Sequence, residues 1–364
     1  MKIVCIQDEL SRFLQIVVRS IATKTTLPIL TGIYLEAKDN TLQCVATDLE
    51  IAIEVTVPNI QIITPGSVVL SGKTFVEIIK HLPQIPVEIE FDENAKMVSI
   101  TSRHSVYQIP VLPVEEFPTL PELKSGDKVE VSGENLKEAI HQTIFATLAD
   151  DPRPFLSSIL WEITSDKIRL IATDVNRLAI KDIPVKSEIQ KTALVPVRAL
   201  REIANIFGNN TANVAVYLTD KMIFVQGAGI KFSSRLVEAQ FPRYEQVIPK
   251  EFTGNAVLDR NQFIEALERT ALVSSSIKIN MSGSEMVIVA KEPDKGNCKE
   301  EVTIELNGKD IEIGFNVRFL LDFLRSVHDS KIIFKYVQEQ KPAVMQGQEN
   351  DDYVYIVMPL KLSA

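Results

Sequence analysis

The residues best placed to do chemistry in this 364-residue chain are few, and each group fails a spacing test. Gly66–Thr74 reads GSVVLSGKT, which at a glance resembles a loop that cradles phosphate. Five residues separate Gly66 from Gly72 where that motif needs four. A valine-rich strand fills the interval, so no glycine-lined anion nest is expected. Asp48 and Asp174 stand at matching places in two similar stretches and could be read as metal-binding or acid–base carboxylates. A turn before a strand explains both equally well, and their recurrence favours it. His81, His104, His141 and His328 stand singly, with no zinc spacing and no nucleophile nearby. Cys5, Cys44 and Cys298 are far apart and unmatched, which suits reduced thiols in a cytosolic protein. No metal, no cofactor and no catalytic residue is expected.

Charge is the other chemical resource. Lys and Arg number 39 against 48 Asp and Glu, a formal net charge of −9. Proteins that hold nucleic acid by neutralising phosphates are normally basic, at least locally. A nucleic-acid role here must therefore rest on a confined basic surface or on topology. No stretch approaches the ~18–20 apolar residues of a membrane span. The start, MKIVCIQDEL, meets Asp8 and Glu9 too early for a secretory signal. The expected compartment is the cytoplasm, with no membrane partner.

The elements that position these residues are repeated. LQCVATDLEIAIEVTV at Leu42–Val57 returns as IRLIATDVNRLAIKDIPV at Ile168–Val185, with a diverged echo at Met286–Ile304. EEFPTLPE from Glu115 and AQFPRYEQVIP from Ala239 each close a unit. Self-similarity at domain length implies similar units side by side. Within each unit the order β-α-β-β-β occurs twice. Lys2–Ile6 alternates as a strand; Asp8 offers an N-cap to a helix with Leu10, Phe13, Leu14 and Val17 on one face. Helices are expected again from Phe75, near Leu136–Ala146, over Val197–Phe207, and around Phe263 and Leu320. The fold class is α+β: three similar domains, each of two such half-units with helices on an antiparallel sheet. The expected bounds are 1–124, 125–250 and 251–364.

The helix faces turned from the sheets carry Arg12 and Arg19, Lys73 and Lys80, Lys137 and His141, Arg198 and Arg201, Arg260 and Arg269, and Arg318 and Arg325. One helix with Lys or Arg on a solvated face means little. Six in an acidic chain suggest a shared basic surface.

TLPIL at Thr26–Leu30, ATDLE at Ala46–Glu50, ATDVNRLA at Ala172–Ala179, FPRYEQVIP at Phe241–Pro249, IEIGFNVRFLLDFL from Ile311 and YIVMPLKL at Tyr355–Leu362 follow in one order along the chain. In this the chain resembles the bacterial DNA polymerase III β subunit (sliding clamp) family, end to end. The resemblance implies a head-to-tail homodimeric ring around double-stranded DNA, helices lining the hole and sheets forming the outer wall. Such a ring is a non-catalytic processivity factor that keeps a polymerase near the primer end. The implied partners are the DNA polymerase III catalytic subunit, a clamp-loader ATPase complex, and other replication and repair proteins with short hydrophobic motifs.

Family positions carried over as DNA contacts are Lys24, Lys73 and Arg198; Lys137 and Arg201, on the basic helix faces, are candidate DNA contacts beside them. A shallow groove between the second and third domains would dock partner peptides ending in bulky apolar residues. It would use Leu156, Thr173, Arg177, Leu178, Pro242, Val247, Val344, Met358 and Pro359, with Arg153 and Ile356 at its margin. Tyr107, Leu272 and Val273 match positions where subunits meet. Where the family often has Gly-His, Val175 and Asn176 stand here, and the β-branched Val175 is expected to narrow the groove or change the backbone angle. The acidic pairs Asp150–Asp151 and Asp351–Asp352 read as loop solubilisers. A rival reading is a repeat-domain protein-interaction scaffold that binds no nucleic acid. A metal-dependent hydrolase using Asp48 or Asp174 lacks a ligand cluster.

Overall fold

Alternating burial produces the strands and a 3.6-residue stripe produces the helices. Lys2–Ile6 buries Ile3 and Cys5 and turns Lys2 and Val4 outward, as a half-buried strand must. The helices are α1 (Gln7–Val17), α2 (Gly72–His81), α3 (Gly133–Ile144), α4 (Val197–Phe207), α5 (Arg260–Ala271) and α6 (Val317–Ser326). In α6, Val317, Leu320, Leu321 and Leu324 are buried on one side while Arg318 and Arg325 are exposed. Asp259 caps α5 by accepting the Gln262 N–H, and Asn316 caps α6 by accepting that of Arg318. Asp8 does not cap α1. The helix starts one residue earlier at Gln7, whose buried Nε2 donates to the Ile79 carbonyl at 2.6 Å, and Asp8 sits in the first turn. That contact to a distant segment decides the start over the local cap.

This computed structural model describes residues 1–123, 127–149, 151–209 and 212–361. Lys124 at the first expected boundary, Asp150 of the acidic pair, and the Leu362–Ala364 end lie outside them. The described residues contain six α-helices, and every half-unit follows the β-α-β-β-β order, with one extra strand, Gln61–Thr64, in the first.

The chain divides into two compact units. One is Met1–Gly133 with Asn205–Leu236, the other Glu134–Ala204 with Val237–Ala364. The first unit contains a 13-stranded antiparallel sheet and the second a 12-stranded one. The central third thus contributes strands to each sheet. In the first unit Ile51–Val57 pairs with Ile230–Arg235. In the second, the corresponding Arg177–Pro184 pairs with Tyr353–Val357. In the first unit α1 packs against α2, and in the second α5 packs against α6. No helix among the described residues is long and apolar enough to cross a membrane.

Gly66–Ser71 is a strand that runs directly into α2, so the glycines that imitate a phosphate loop form no loop. Among the described residues no group of three or more His, Cys, Asp or Glu could hold a metal ion. Cys5 and Cys44 are buried, and burial pushes the Cys5 thiol up to about 12.

Candidate partner-docking groove and basic helix faces

The two recurring aspartates build turns. Asp174 Oδ1 accepts the backbone N–H groups of Asn176 and Arg177, each at 3.0 Å. Asp48 Oδ1 does the same for Glu50 and Ile51 at 3.0 and 2.9 Å. Between the anchors, Val175 and Leu49 take left-handed φ angles of 78° and 77°. Thr173 Oγ1 and Thr47 Oγ1 hold those strained residues by accepting their N–H groups. Bulky side chains at positive φ are uncommon and costly, and the duplicated geometry explains how they persist.

In the second unit this turn borders an apolar groove of about 230 Å3. Its floor is Leu178 and Ile356, both buried on neighbouring strands. Its rim is exposed and apolar: Val175 at 57%, Val247 at 46% and Met358 at 36%. Pro242, Arg243, Tyr244 and Val247 come from the segment that closes the central repeat, and Phe155 comes from the 3-10 turn Pro154–Ser157. Met358 is held at the mouth by its N–H bond to the Asn176 carbonyl, 2.8 Å. Tyr244 lies edge-on to Phe241 and donates its hydroxyl to Glu162 at 2.9 Å; burial raises its pKa to about 12.

Of the expected groove residues, Thr173, Arg177, Leu178, Pro242, Val247, Ile356 and Met358 line this cavity. Leu156 does not. It is fully buried, because consecutive residues of a 3-10 turn point about a third of a turn apart, which sends Phe155 to the groove and Leu156 inward. Val344 is buried beneath the floor in the same apolar cluster as Leu178 and Ile356. Pro359 lies just beyond Met358 and is half-buried. Arg153 stands clear of the lining and is gripped bidentately by Asp151, whose carboxyl that hydrogen bonding holds down at about 2. Phe155, Arg243 and Tyr244 were not expected; the aromatic next to Leu156 and the one following Pro242 were the available signals.

Arg177 is the polar pivot below the rim. It is 8% exposed and bonds Asp174, Asp322 and the Phe145 carbonyl. Its guanidinium lies 4.4 Å from the Phe319 ring centre and 5.3 Å from that of Phe145. Burial opposes its charge, but Tyr355, Asp322 and Asp174 more than offset this and hold its pKa above the ordinary value.

The same turn in the first unit borders a different surface. Arg235 occupies the place of Met358 and donates Nε to the Leu49 carbonyl at 3.1 Å. A cavity elsewhere in this unit is lined by Tyr34, Phe117, Leu120, Phe224 and Phe232 as well as by Glu54 and Lys231, which are ion-paired.

Lys24, Lys73, Lys137, Arg198 and Arg201 are all exposed, Lys73 near the start of α2, Lys137 on α3 and the two arginines on α4. On α5 and α6 two basic residues form ion pairs. Arg269 pairs with Glu300 at 2.8 Å and Arg325 with Glu268 at 2.7 Å. Tyr107 is 42% exposed on Ser105–Leu112, a strand paired along most of its length with Met97–Ser102 but through only Val111 and Leu112 with Gly66–Ser71. It therefore keeps an open edge, which natural proteins cover or pair. Leu272, just past α5, is 77% exposed, with Val273 half-buried beside it.

Sequence profiles of the N-terminal, central and C-terminal domains of the DNA polymerase III beta subunit match residues 1–121, 130–243 and 245–361. A beta sliding clamp of Staphylococcus epidermidis is 30% identical over 358 residues, covering 94% of each chain. The chain belongs to the DNA polymerase III beta subunit family. Its backbone matches the sliding clamp of Bacillus subtilis with a TM-score of 0.96 at 25% identity, and the beta subunit of Pseudomonas aeruginosa with 0.95 at 29%, each over 100% of both chains. The three-domain clamp fold is thus the fold of this chain, and its function is that of a sliding-clamp processivity factor, an accessory subunit without catalysis of its own.

Val175 carries a testable cost. Left-handed strain in a β-branched residue costs about 1–3 kcal/mol, and the added freedom of glycine in the unfolded chain returns about 0.5–1 of it. Val175→Gly is expected to stabilise the protein by about 1 kcal/mol, and Leu49→Gly likewise. Thermal denaturation of the two variants measures this; a lowered midpoint in both would contradict the strain.

Proposed function

We propose that two copies of this chain close head to tail into a ring around duplex DNA, and that partners dock by apolar peptide ends in the groove at Val175, Leu178, Val247 and Met358. The groove carries this reading. Its floor is already formed and its rim leaves apolar side chains in solvent, as suits a site that captures bulky side chains from an extended segment. Leu272, Val273 and the open edge at Tyr107 are unlike surfaces at separate places in the chain, which suits a heterologous contact that closes. Lys24, Lys73, Lys137, Arg198 and Arg201 then supply weak, sequence-blind contacts to phosphates. A net charge of −9 is compatible with this role, because an enclosed duplex need not be gripped tightly. The proposed partners are the DNA polymerase III catalytic subunit, a loading ATPase, and other replication and repair proteins with short apolar motifs. The domain bounds 1–124, 125–250 and 251–364 belong to this reading too.

Retention on nicked circular DNA tests the ring. After loading, the protein is expected to co-elute with the circle through a salt wash and to be lost when the circle is linearised, since only an enclosing protein runs off ends. Equal retention on both forms would instead indicate ordinary affinity. No retention on either, with peptide binding intact, would favour a scaffold that ignores nucleic acid.

A further inference from the structure

The apolar groove of the second unit has one unpaired charge at its edge. Two arginines line it, Arg177 and Arg243, and no Asp or Glu among the described residues does. Arg177 is committed below the rim, where it pairs with Asp174 and Asp322. Arg243 is exposed, and among the described residues no hydrogen bond or ion pair engages its guanidinium. The surrounding carboxylates are occupied or stand off the groove. Glu162 takes the Tyr244 hydroxyl, and Asp151 holds Arg153. Glu245 shares the turn that follows Arg243 but is not part of the lining. Asp174 and Asp322 outnumber Arg177, yet neither lines the groove, and Asp174 is turned to Arg177 and to two backbone N–H groups.

The backbone fixes where that charge stands. Arg243 immediately precedes the 3-10 turn Tyr244–Val247, and its carbonyl accepts the Gln246 N–H at 3.3 Å. Tyr244 is buried and anchors the turn from beneath through its 2.9 Å bond to Glu162. Arg243 and the exposed Val247 thus stand at either end of one pinned turn, both on the groove. Size then selects the anion. A cavity of about 230 Å3 is smaller than the ~300–1,000 Å3 of ordinary ligand pockets and holds the end of a segment better than its middle. In an extended segment successive side chains point to opposite sides, so an acidic residue next to the anchor faces away from the groove. The α-carboxylate of a chain that stops at the anchor stays on the anchor's own Cα and meets the rim. A planar guanidinium takes such a group through two parallel N–H bonds.

We propose that Arg243 binds the C-terminal carboxylate of a partner whose chain ends at the apolar anchor, so that the groove favours terminal motifs over internal ones. This rests on the docking reading above and adds its chemical selectivity. The probes are two labelled peptides ending in Leu-Phe, one the free acid and one the C-terminal amide, titrated into the full chain by fluorescence anisotropy. The acid is expected to bind about fivefold tighter, as suits an ion pair at an open rim. Raising salt from about 0.05 to 0.5 M should narrow that gap, because the screening length falls. Arg243→Gln should bind both peptides alike. The shorter stem also trims apolar contact, but that loss falls on acid and amide equally, so their ratio is the readout. Arg243 is exposed, and its replacement leaves the core untouched. Equal binding of acid and amide by the native chain, or a preference that survives Arg243→Gln, overturns the proposal while leaving apolar docking intact. An amide with Asp just before Leu-Phe that matches the free acid would assign Arg243 to acidic side chains and overturn it as well. Binding of neither peptide would remove the docking reading itself, and this inference with it.

Discussion

Arg177→Met is expected to destabilise the second unit by about 3–5 kcal/mol, the usual cost of removing one member of a buried ion pair. Arg177 is 8% exposed and bonds Asp174 at 2.9 Å, Asp322 at 2.6 Å and the Phe145 carbonyl at 2.6 Å. Methionine fills much of the volume between Phe145 and Phe319 but donates nothing. Asp174 keeps its two backbone donors, whereas Asp322 and the Phe145 carbonyl lose the bonds that Arg177 supplies. Lysine would not restore the site, because a single ammonium cannot serve three acceptors in the plane of a guanidinium fork. The fall in melting temperature should be roughly 10 °C for a body of this size. A change under about 2 °C on thermal denaturation would mean that the three bonds are not a structural pivot.

Ending the chain at Val357 is expected to weaken docking of a peptide ending in Leu-Phe by at least about tenfold. Met358 is 36% exposed at the groove mouth, so about a third of its area is still open to an arriving peptide. Covering that remaining third is worth about 1–1.5 kcal/mol, or roughly tenfold in affinity. The truncation also removes the bond from the Met358 N–H to the Asn176 carbonyl, which ties the mouth to the Val175 turn. Tyr107, Leu272, Val273 and the basic residues of α2–α4 are untouched. The proposed closed pair should therefore survive the truncation and stay on nicked circles. Fluorescence anisotropy with a labelled peptide reads the loss. Near-native affinity in a folded, truncated protein would refute the assignment of Met358.

What could be read directly from residues was local. Val197–Phe207 is a helix to the residue, since Ala199, Leu200, Ile203 and Phe207 leave no other face to bury. Ile51–Val57 is likewise recognisable from its alternation. The start of α1 escaped because the Gln7 side chain answers to Ile79, far along the chain. The pairing of Ile51–Val57 with Ile230–Arg235 escaped for a similar reason: strand partners so distant leave no mark on either segment. In the groove, backbone direction was the missing information. A one-residue rotation separates Phe155 from Leu156, and only the 3-10 turn reveals which faces outward. Val175 was noticed by its type, but its φ of 78° belongs to the Asp174 turn.

The duplicated turn has a consequence for traffic. One copy of it, at Leu49, has the Arg235 guanidinium beside it; the other, at Val175, has the Met358 thioether. On the proposed reading the groove at Val175 gives one berth for an oily anchor on each chain, and a closed pair would present two such grooves. More than two clients cannot be moored at once by that means. Turnover among them would be governed by abundance and residence time, and a tightly held visitor would shut out all the rest.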